Sequence, residues 1–329
     1  MTKDDVLALL QEREGDYLSG EELARGLSLS RTAVWKAIGQ LRAEGYPIES
    51  VTRRGYRLLP GGDVLSADGV MKHLRHRELR IEVFPSVGST NTVLKTLAEQ
   101  GEAAGCVVIA GEQTAGRGRM GRSFYSPAGS GLYMSVLYRP SSPAADAVRI
   151  TACAAVAVAG TIEELSGRQA QIKWVNDVLV DGKKVCGILT EASLDCESGM
   201  FRHLIVGIGV NTAVPDGDFP EALRGVAGSA FGPAPVPQLR CRLAAGILDR
   251  LTDFMEDPGS ERCFEAYRAR SVVLGKRVTL LSPGREPAEA EVLGLERDYS
   301  LRVRLGDGSE TRVSSGEVSV RPATDPLTF

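Results

Sequence analysis

The residues best suited to chemistry lie between positions 112 and 126. Gly116-Arg117-Gly118-Arg119-Met120-Gly121-Arg122 interleaves three arginines with three glycines. Arginine supplies forked donors that match a phosphate or carboxylate, and glycine lets backbone approach an anion closely and move. The run also satisfies G-x-G-x-x-G through Gly116, Gly118 and Gly121. A dinucleotide site needs more than this text: a strand leading straight in, a helix starting from the loop, and an acid about twenty residues on. Here Glu112-Gln113-Thr114 separates the loop from the preceding strand, Ser123-Phe124-Tyr125-Ser126-Pro127-Ala128-Gly129 cannot open a helix, and the first acid after Glu112 is Asp146. The dinucleotide reading therefore fails, and no P-loop pattern is present. Gln113 and Phe124-Tyr125-Ser126-Pro127 flank the loop with residues that a merely solvated basic segment would not carry. Other chemistries have little material. The histidines are His73, His76 and His203, no G-x-S-x-G elbow occurs, and the six cysteines (106, 153, 186, 196, 241, 263) include no C-x-x-C pair.

The elements that must hold this loop fall into three textures. Residues 1–62 read as helices and a short β-wing. Asp4 or Asp5 opens a helix, and Ser19 with Glu22 forms a capping box. A third helix from Ser28 or Ser30 carries Val34, Ile38 and Leu41 on one face and ends at Gly45. Extended pieces at 48–52 and 56–59 flank Arg53-Arg54-Gly55, and Pro60-Gly61-Gly62-Asp63 reads as a linker. Residues 63–270 mix predicted strands at 82–85, 107–110, 132–137, 171–174, 184–191 and 203–210 with predicted helices at 91–99, 144–165 and 238–255. Residues 271–329 read as pure β, with strands at 278–281, 290–293, 301–305 and 318–321 and a hairpin turn at Asp307-Gly308. The stretch 151–162 is apolar but too short to span a bilayer. MTKDDVLALLQEREGD puts acids where a signal peptide needs cations, so a reducing cytoplasmic setting and no membrane association are expected.

A formal net charge of −3 disfavours non-specific coating of nucleic acid, but the local balance matters more. Residues 23–57 hold seven basic residues against Glu44 and Glu49, whereas residues 1–22 hold two basic against seven acidic. The positive half coincides with the helix from Arg31 and the wing, where phosphate contacts are needed in a winged helix-turn-helix. Ser30, Arg31, Thr32 and Lys36 would meet DNA with Arg53 and Arg54 of the wing; Trp35 fits either the groove or the core. The bland reading of these cations is a solvated face.

The loop 112–122 resembles the signature loop of biotin protein ligases. The resemblance extends through Ser89-Thr90-Asn91, Lys173-Trp174-Val175-Asn176-Asp177, residues 183–191 from Lys183-Lys184 to Thr190-Glu191, and Val206-Gly207-Ile208-Gly209-Val210-Asn211. It closes on Ser315-Gly316-Glu317-Val318-Ser319. With the amino-terminal winged helix, nearly the full length is similar to the bifunctional ligase-repressors of that family. Met120 stands where the family often has arginine, and Val175 where it has proline. The resemblance implies a multi-domain α+β fold: a winged helix-turn-helix at 1–62, a mixed α/β, class II synthetase-like ligase domain at 63–270, and a small SH3-like β-barrel at 271–329.

It also implies the chemistry. Biotin's carboxylate attacks the α-phosphorus of ATP, giving biotinyl-5'-AMP and pyrophosphate; a lysine of a biotin carboxyl carrier protein then attacks the mixed anhydride. The need is to bring anions together, which suits cations and Mg2+ rather than a protein nucleophile. The resemblance assigns biotin to Ser89, Thr90, Asn91, Gln113, Gly116, Arg117, Gly118, Arg119, Lys184 and Gly187. It assigns ATP to Arg119, Arg122, Lys173, Asn176 and Asn211, and catalysis to Arg119, Lys184 and Asp177. Asp177 suits the magnesium side or the proton of the incoming lysine. Trp174 belongs either to the adenine end or to the core, and Lys183 reads as a solvated hairpin charge. Biotinyl-AMP would act as corepressor, promoting a homodimer on operator DNA of biotin genes. The alternatives are a ligase with an inert winged helix, a non-catalytic biotin-sensing transcription factor and a lipoate-type ligase.

Overall fold

Local signals start the first helices. In the computed structural model α1 (Thr2–Glu12) begins beside Asp4 and Asp5, and α2 (Gly20–Gly26) is capped by Ser19 and Glu22 reciprocally. The structure describes residues 2–13, 15–43, 45–59, 62–139, 147–195, 200–234, 236–281, 286–314 and 319–322. All of the closing motif but Ser319 lies outside them, as do Pro60, Gly61, Glu44, Asp146 and Cys196. By packing, the chain divides into one unit of residues 1–69 with 235–241 and a second of 70–234 with 242–329.

In the first unit, Ser30 accepts from the Ala33 N–H and starts α3 (Arg31–Ala43). Val6, Leu10, Leu23, Val34, Ile38 and Leu41 close one core, all under 2% exposed. The wing is the antiparallel pair β1 (Ile48–Val51) and β2 (Gly55–Leu58). Two backbone hydrogen bonds of 2.8 Å between Leu18 and Tyr56 fasten it to the turn before α2. This close approach needs Gly55: its φ is +102°, and a Cβ there would lie 2.1 Å from the Leu18 carbonyl oxygen. The short α4 (Ala67–His73) follows.

The second unit is built on a seven-stranded sheet. Its elements are β3 (Arg80–Phe84), α5 (Thr90–Glu99), β4 (Cys106–Ala110), β5 (Gly131–Tyr138), α6 (Ala147–Ser166), β6 (Gln171–Lys173), β7 (Asp177–Val180), β8 (Lys183–Leu194) and β9 (Phe201–Asn211). The strand order is β3-β4-β5-β9-β8-β7-β6, with only the β3–β4 pair parallel. Alanine and valine let α6 bury almost its whole circumference against β8 and its neighbours. Then come α7 (Leu239–Met255) and α8 (Glu261–Arg270), and a five-stranded antiparallel sheet of β10 (Arg277–Leu281), β11 (Ala288–Leu295), β12 (Leu301–Leu305), β13 (Glu310–Val313) and β14 (Ser319–Pro322), in the order β13-β12-β11-β10-β14.

Most expected elements occur within a few residues of their anticipated ends. The sequence reading omitted α4, β7, α8 and β13. The four residues of β7 are too few to show a period, and α8 is polar apart from Cys263, Phe264 and Tyr267. These three side chains meet Tyr299 in the turn between β11 and β12: Phe264 and Tyr267 stack edge-on against its ring at 5.6 and 5.2 Å.

Register decides what the large sheet offers. Gly209 lies opposite Gly187 on β8 and Tyr133 on β5; Gly207 lies opposite Leu189 and Ser135. Side chains alternate along a strand, so these positions share one face. Three of them lack a side chain, which leaves a trough in the middle of the sheet.

Replacement Gly55→Ala is expected to destabilise the first unit by about 2–3 kcal/mol, from strain at positive φ and collision with Leu18. Hydrogen exchange should accelerate at residues 18–26 and 48–58 and stay unchanged in the seven-stranded sheet.

Candidate functional site

The cleft lies over the glycine trough. At one end the start of α5 presents Ser89, Thr90 and Asn91, each under 5% exposed. Ser89 occupies the N-cap position but makes no capping hydrogen bond. The Thr90 N–H is satisfied instead from the arginine loop: Gln113 Oε1 accepts from it at 2.9 Å and from the Thr90 hydroxyl at 3.1 Å. Gln113 Nε2 donates to Ser126 at 3.0 Å, so Gln113 is a strut between α5 and the returning limb of the loop. Asn91 is fixed more firmly. Its Nδ2 donates to Glu191 at 2.8 Å and to the Leu189 carbonyl at 3.3 Å, and its Oδ1 lies 2.6 Å from the Ser135 hydroxyl. A Cβ on Gly207 would stand 2.1 Å from that Oδ1, so the glycine makes room for the amide.

The arginine loop folds back on itself. Phe124 N–H donates to Gly116 O, Gly118 N–H donates to Arg122 O at 2.7 Å, and Met120 turns the chain at φ +56°. Its side chains then diverge. Arg117 reaches Glu191 Oε1 at 3.1 Å. Arg119 runs the other way and donates to Asn176 Oδ1 at 3.0 Å. Burial pulls the Arg119 guanidinium below its ordinary range, while the nearby Asp177 charge opposes that shift. Met120, at the position of the missing arginine, is 57% exposed. Phe124 lies across the trough, in the space that a Cβ on Gly209 would take, 2.5 Å from its ring.

The far end is built by the β6–β7 turn and the start of β8. Lys173 pairs with Asp177 in the strand register, and Lys184 Nζ lies 2.7 Å from Asp177 Oδ1. That oxygen is buried, so the ion pair is shielded from solvent. Asn176 is pinned to Ile188 by a side-chain and a backbone hydrogen bond of 2.9 and 3.0 Å. Trp174 is a packed residue with one side on the cleft. It lines the cleft yet is 5% exposed, with its indole N–H on the Tyr299 carbonyl at 2.7 Å. Tyr267 supports the same turn through the Val175 carbonyl at 3.1 Å.

The cleft thus gathers Ser89, Thr90, Asn91, Gln113, Arg117, Gly118, Arg119, Arg122, Lys173, Asn176, Asp177, Lys184 and Gly187. Two expected residues do not line it. Asn211 ends β9 opposite Gly131, and Gly116 is packed under Phe124 and Ser126. Lys183 is exposed beside the Asp181-Gly182 turn. The sequence reading gave no role to Ser135, Phe124, Ser126, Glu191 or Tyr267. The one available signal was the Gly-Ile-Gly spacing of Gly207 and Gly209, which places two gaps on one strand face.

In the first unit, Arg31, Thr32 and Lys36 are exposed on α3, and Trp35 is 66% exposed, so it belongs to the outer face and not the core. Arg53 occupies the wing turn at φ +68°. Arg54 stacks over the Tyr17 ring at 4.0 Å. The seven basic residues are not equivalent. Arg57 is paired with Glu49 at 2.6 Å, and Arg42 is bonded to Ile48 O and Ser50. Arg25, Arg31, Lys36, Arg53 and Arg54 are exposed.

Fold and cleft define a ligase domain of the biotin/lipoate class joined to a helix-turn-helix domain. Residues 83–211 match the Biotin/lipoate A/B protein ligase family, residues 2–57 an HTH domain and residues 273–321 the Biotin protein ligase C terminal domain. The chain belongs to the family of bifunctional biotin ligase/repressors. It is 39% identical over 229 residues to the bifunctional ligase/repressor BirA of Bacillus subtilis, covering 69% of this chain and 70% of that one. It is 33% identical over 317 residues to BirA of Salmonella typhimurium, covering 94% and 95%. Among solved structures, biotin protein ligase from Aquifex aeolicus in complex with biotin and ATP aligns with a TM-score of 0.61 and 27% identity, over 74% of this chain and 99% of that chain.

Replacement Gly209→Ala is expected to drive Phe124 from its place and weaken biotin binding by roughly tenfold or more in calorimetric titration. Thermal stability should fall by only a few degrees, because the collision is with one ring at the cleft.

Proposed function

We propose that the chain adenylates biotin with ATP and transfers it to a lysine of a biotin carboxyl carrier protein. The observation that carries this reading is the convergence of Arg119, Lys184, Asn176 and Asp177 at one end of a cleft whose other end is a buried polar wall. A neutral, hydrogen-bonding head group suits the wall of Ser89 and Thr90. The carboxylate would then point at Arg119 and Lys184, which offset the charge gathered as it attacks the α-phosphorus. Among the described residues no three His, Cys, Asp or Glu gather as a metal cage. The donor set of Asp177 with Asn176 fits a magnesium ion held mainly by the triphosphate, whose role would be to neutralise phosphate charge. In the second step the incoming amine must lose a proton, and the Asp177 carboxylate beside Lys184 is the acceptor at hand.

The regulatory half follows from the first unit. Its exposed Ser30-to-Lys36 face and wing cations support operator binding, with biotinyl-AMP promoting a homodimer that presents two such faces to a two-fold site. Among the described residues no helix is long and apolar enough to cross a membrane. The five described cysteines are free thiols, which supports a cytoplasmic setting.

Wild-type protein should incorporate labelled biotin into a carrier domain in an ATP-dependent reaction, and biotin but not lipoate should drive pyrophosphate exchange. No incorporation would sink the enzymatic reading. Arg119→Gly should slow single-turnover adenylation by about 10²–10³ and let the adenylate escape. Footprinting on the chain's own biotin-gene promoter should show protection that strengthens with biotin plus ATP. Trp35→Ala should weaken that protection about tenfold while leaving incorporation unchanged.

A further inference from the structure

Glu191 lies on β8 beyond the glycine trough, and its two carboxylate oxygens face different elements. Oε2 accepts from Asn91 Nδ2 at 2.8 Å, and Oε1 lies 3.1 Å from the Arg117 guanidinium. The two partners differ in character. Asn91 is 4% exposed and is also held by Leu189 O and Ser135, so it forms part of a fixed wall. Arg117 is half exposed on the arginine loop. One side chain therefore joins the wall at the head-group end of the cleft to the loop that covers it. At the opposite end the loop has a different anchor, from Arg119 to Asn176.

We propose that Glu191 is a positioning residue that sets the closed position of the arginine loop through Arg117, and so governs how long biotin and its adenylate stay in the cleft. An ionised carboxylate suits this bridge because it only accepts hydrogen bonds and has an oxygen for each donor. Glutamine, of the same shape, does not. Turning its oxygen toward Asn91 turns its NH2 toward Arg117, so a donor faces a donor. The consequence for ligand retention rests on the reading of the cleft as a biotin and adenylate site, whereas the tether itself does not.

The test uses the full chain and two measurements. Brief trypsin digestion without ligand, followed by peptide mass analysis, reports cuts after Arg117, Arg119 and Arg122; cuts after Arg53 and Arg54 in the wing serve as the internal control. In Glu191→Gln the loop cuts should be about three- to fivefold faster, the scale of a lost partly exposed ion pair, with the wing cuts unchanged. Preformed biotinyl-AMP should dissociate faster by a similar factor, while transfer from bound adenylate to the carrier stays within about twofold. Glu191→Asp keeps the charge but shortens the reach; it should fall between, and it is read in the same way if the glutamine variant does not fold. In an Arg117→Gln background, where cuts after Arg119 and Arg122 remain, Glu191→Gln should add nothing. Equal loop cleavage in wild type and Glu191→Gln would overturn the proposal, as would a full additional effect in the Arg117→Gln background. If the loop cuts accelerate but wild-type protein forms no biotinyl-AMP, the tether stands and the functional reading falls. If wild-type protein is active and the cuts do not change, the reverse holds.

Discussion

The site depends on a trough of missing side chains. Gly187, Gly207 and Gly209 fall on one face of the sheet because β8 and β9 pair in a register that sets Gly187 against Gly209. Slipping β9 by one residue would turn Gly207 and Gly209 to the opposite face and bring the Ile208 side chain into the trough, while Gly187 stayed behind. Asn91 and Phe124 both occupy space that these glycines leave open. The polar wall and the cover of the cleft are thus consequences of one pairing.

Around the trough, charge is separated along a line. At the Ser89-to-Asn91 end, Thr90 and Asn91 donate to Gln113 and Glu191, Ser135 donates to Thr90, and the Glu191 charge is met by Arg117. The other end holds Arg119, Lys173 and Lys184 with one nearby carboxylate, Asp177. Such a gradient orients a molecule with a neutral head and an anionic tail before any chemistry begins. Two neighbours hold the β6–β7 turn: the Tyr299 carbonyl, between β11 and β12, accepts from Trp174, and the Tyr267 hydroxyl of α8 donates to the Val175 carbonyl. Fixing that turn fixes Asn176 and Asp177, and so the partners of Arg119 and Lys184. The same economy marks the first unit, where Arg42 and Arg57 are engaged internally and a smaller set of cations remains outward.

Much of this was legible because it is local. The capping box at Ser19 and Glu22, the apolar face of Val34, Ile38 and Leu41, and the arginine loop each lie within a few positions. Residue type and spacing are sufficient there. Resemblance extended the reading to Asn176, Asp177 and Lys184, whose roles no local period could suggest. Asn211 and Gly116, matched in the same way, do not line the cleft, because a motif matched along the chain does not say which way each residue faces. The resemblance left Ser135 and Tyr267 unremarked, since serine or an aromatic on a buried element carries no distinguishing pattern.

Glu191 shows the division most clearly. It lay inside a matched stretch without a role, and its partner Asn91 is 100 residues away. Trp174 meets Tyr299 across 125 residues, and Ser135 meets Asn91 across 44. The sequence by itself determined most of the elements, the polarity of the amino-terminal charge and the kind of anion chemistry, because these follow from neighbouring residue types. Only the tertiary structure decided which carboxylate holds which arginine, which polar groups remain for a ligand, and which face of the sheet is empty. Those depend on strand register and on contacts closed over long loops, which short-range pattern does not encode.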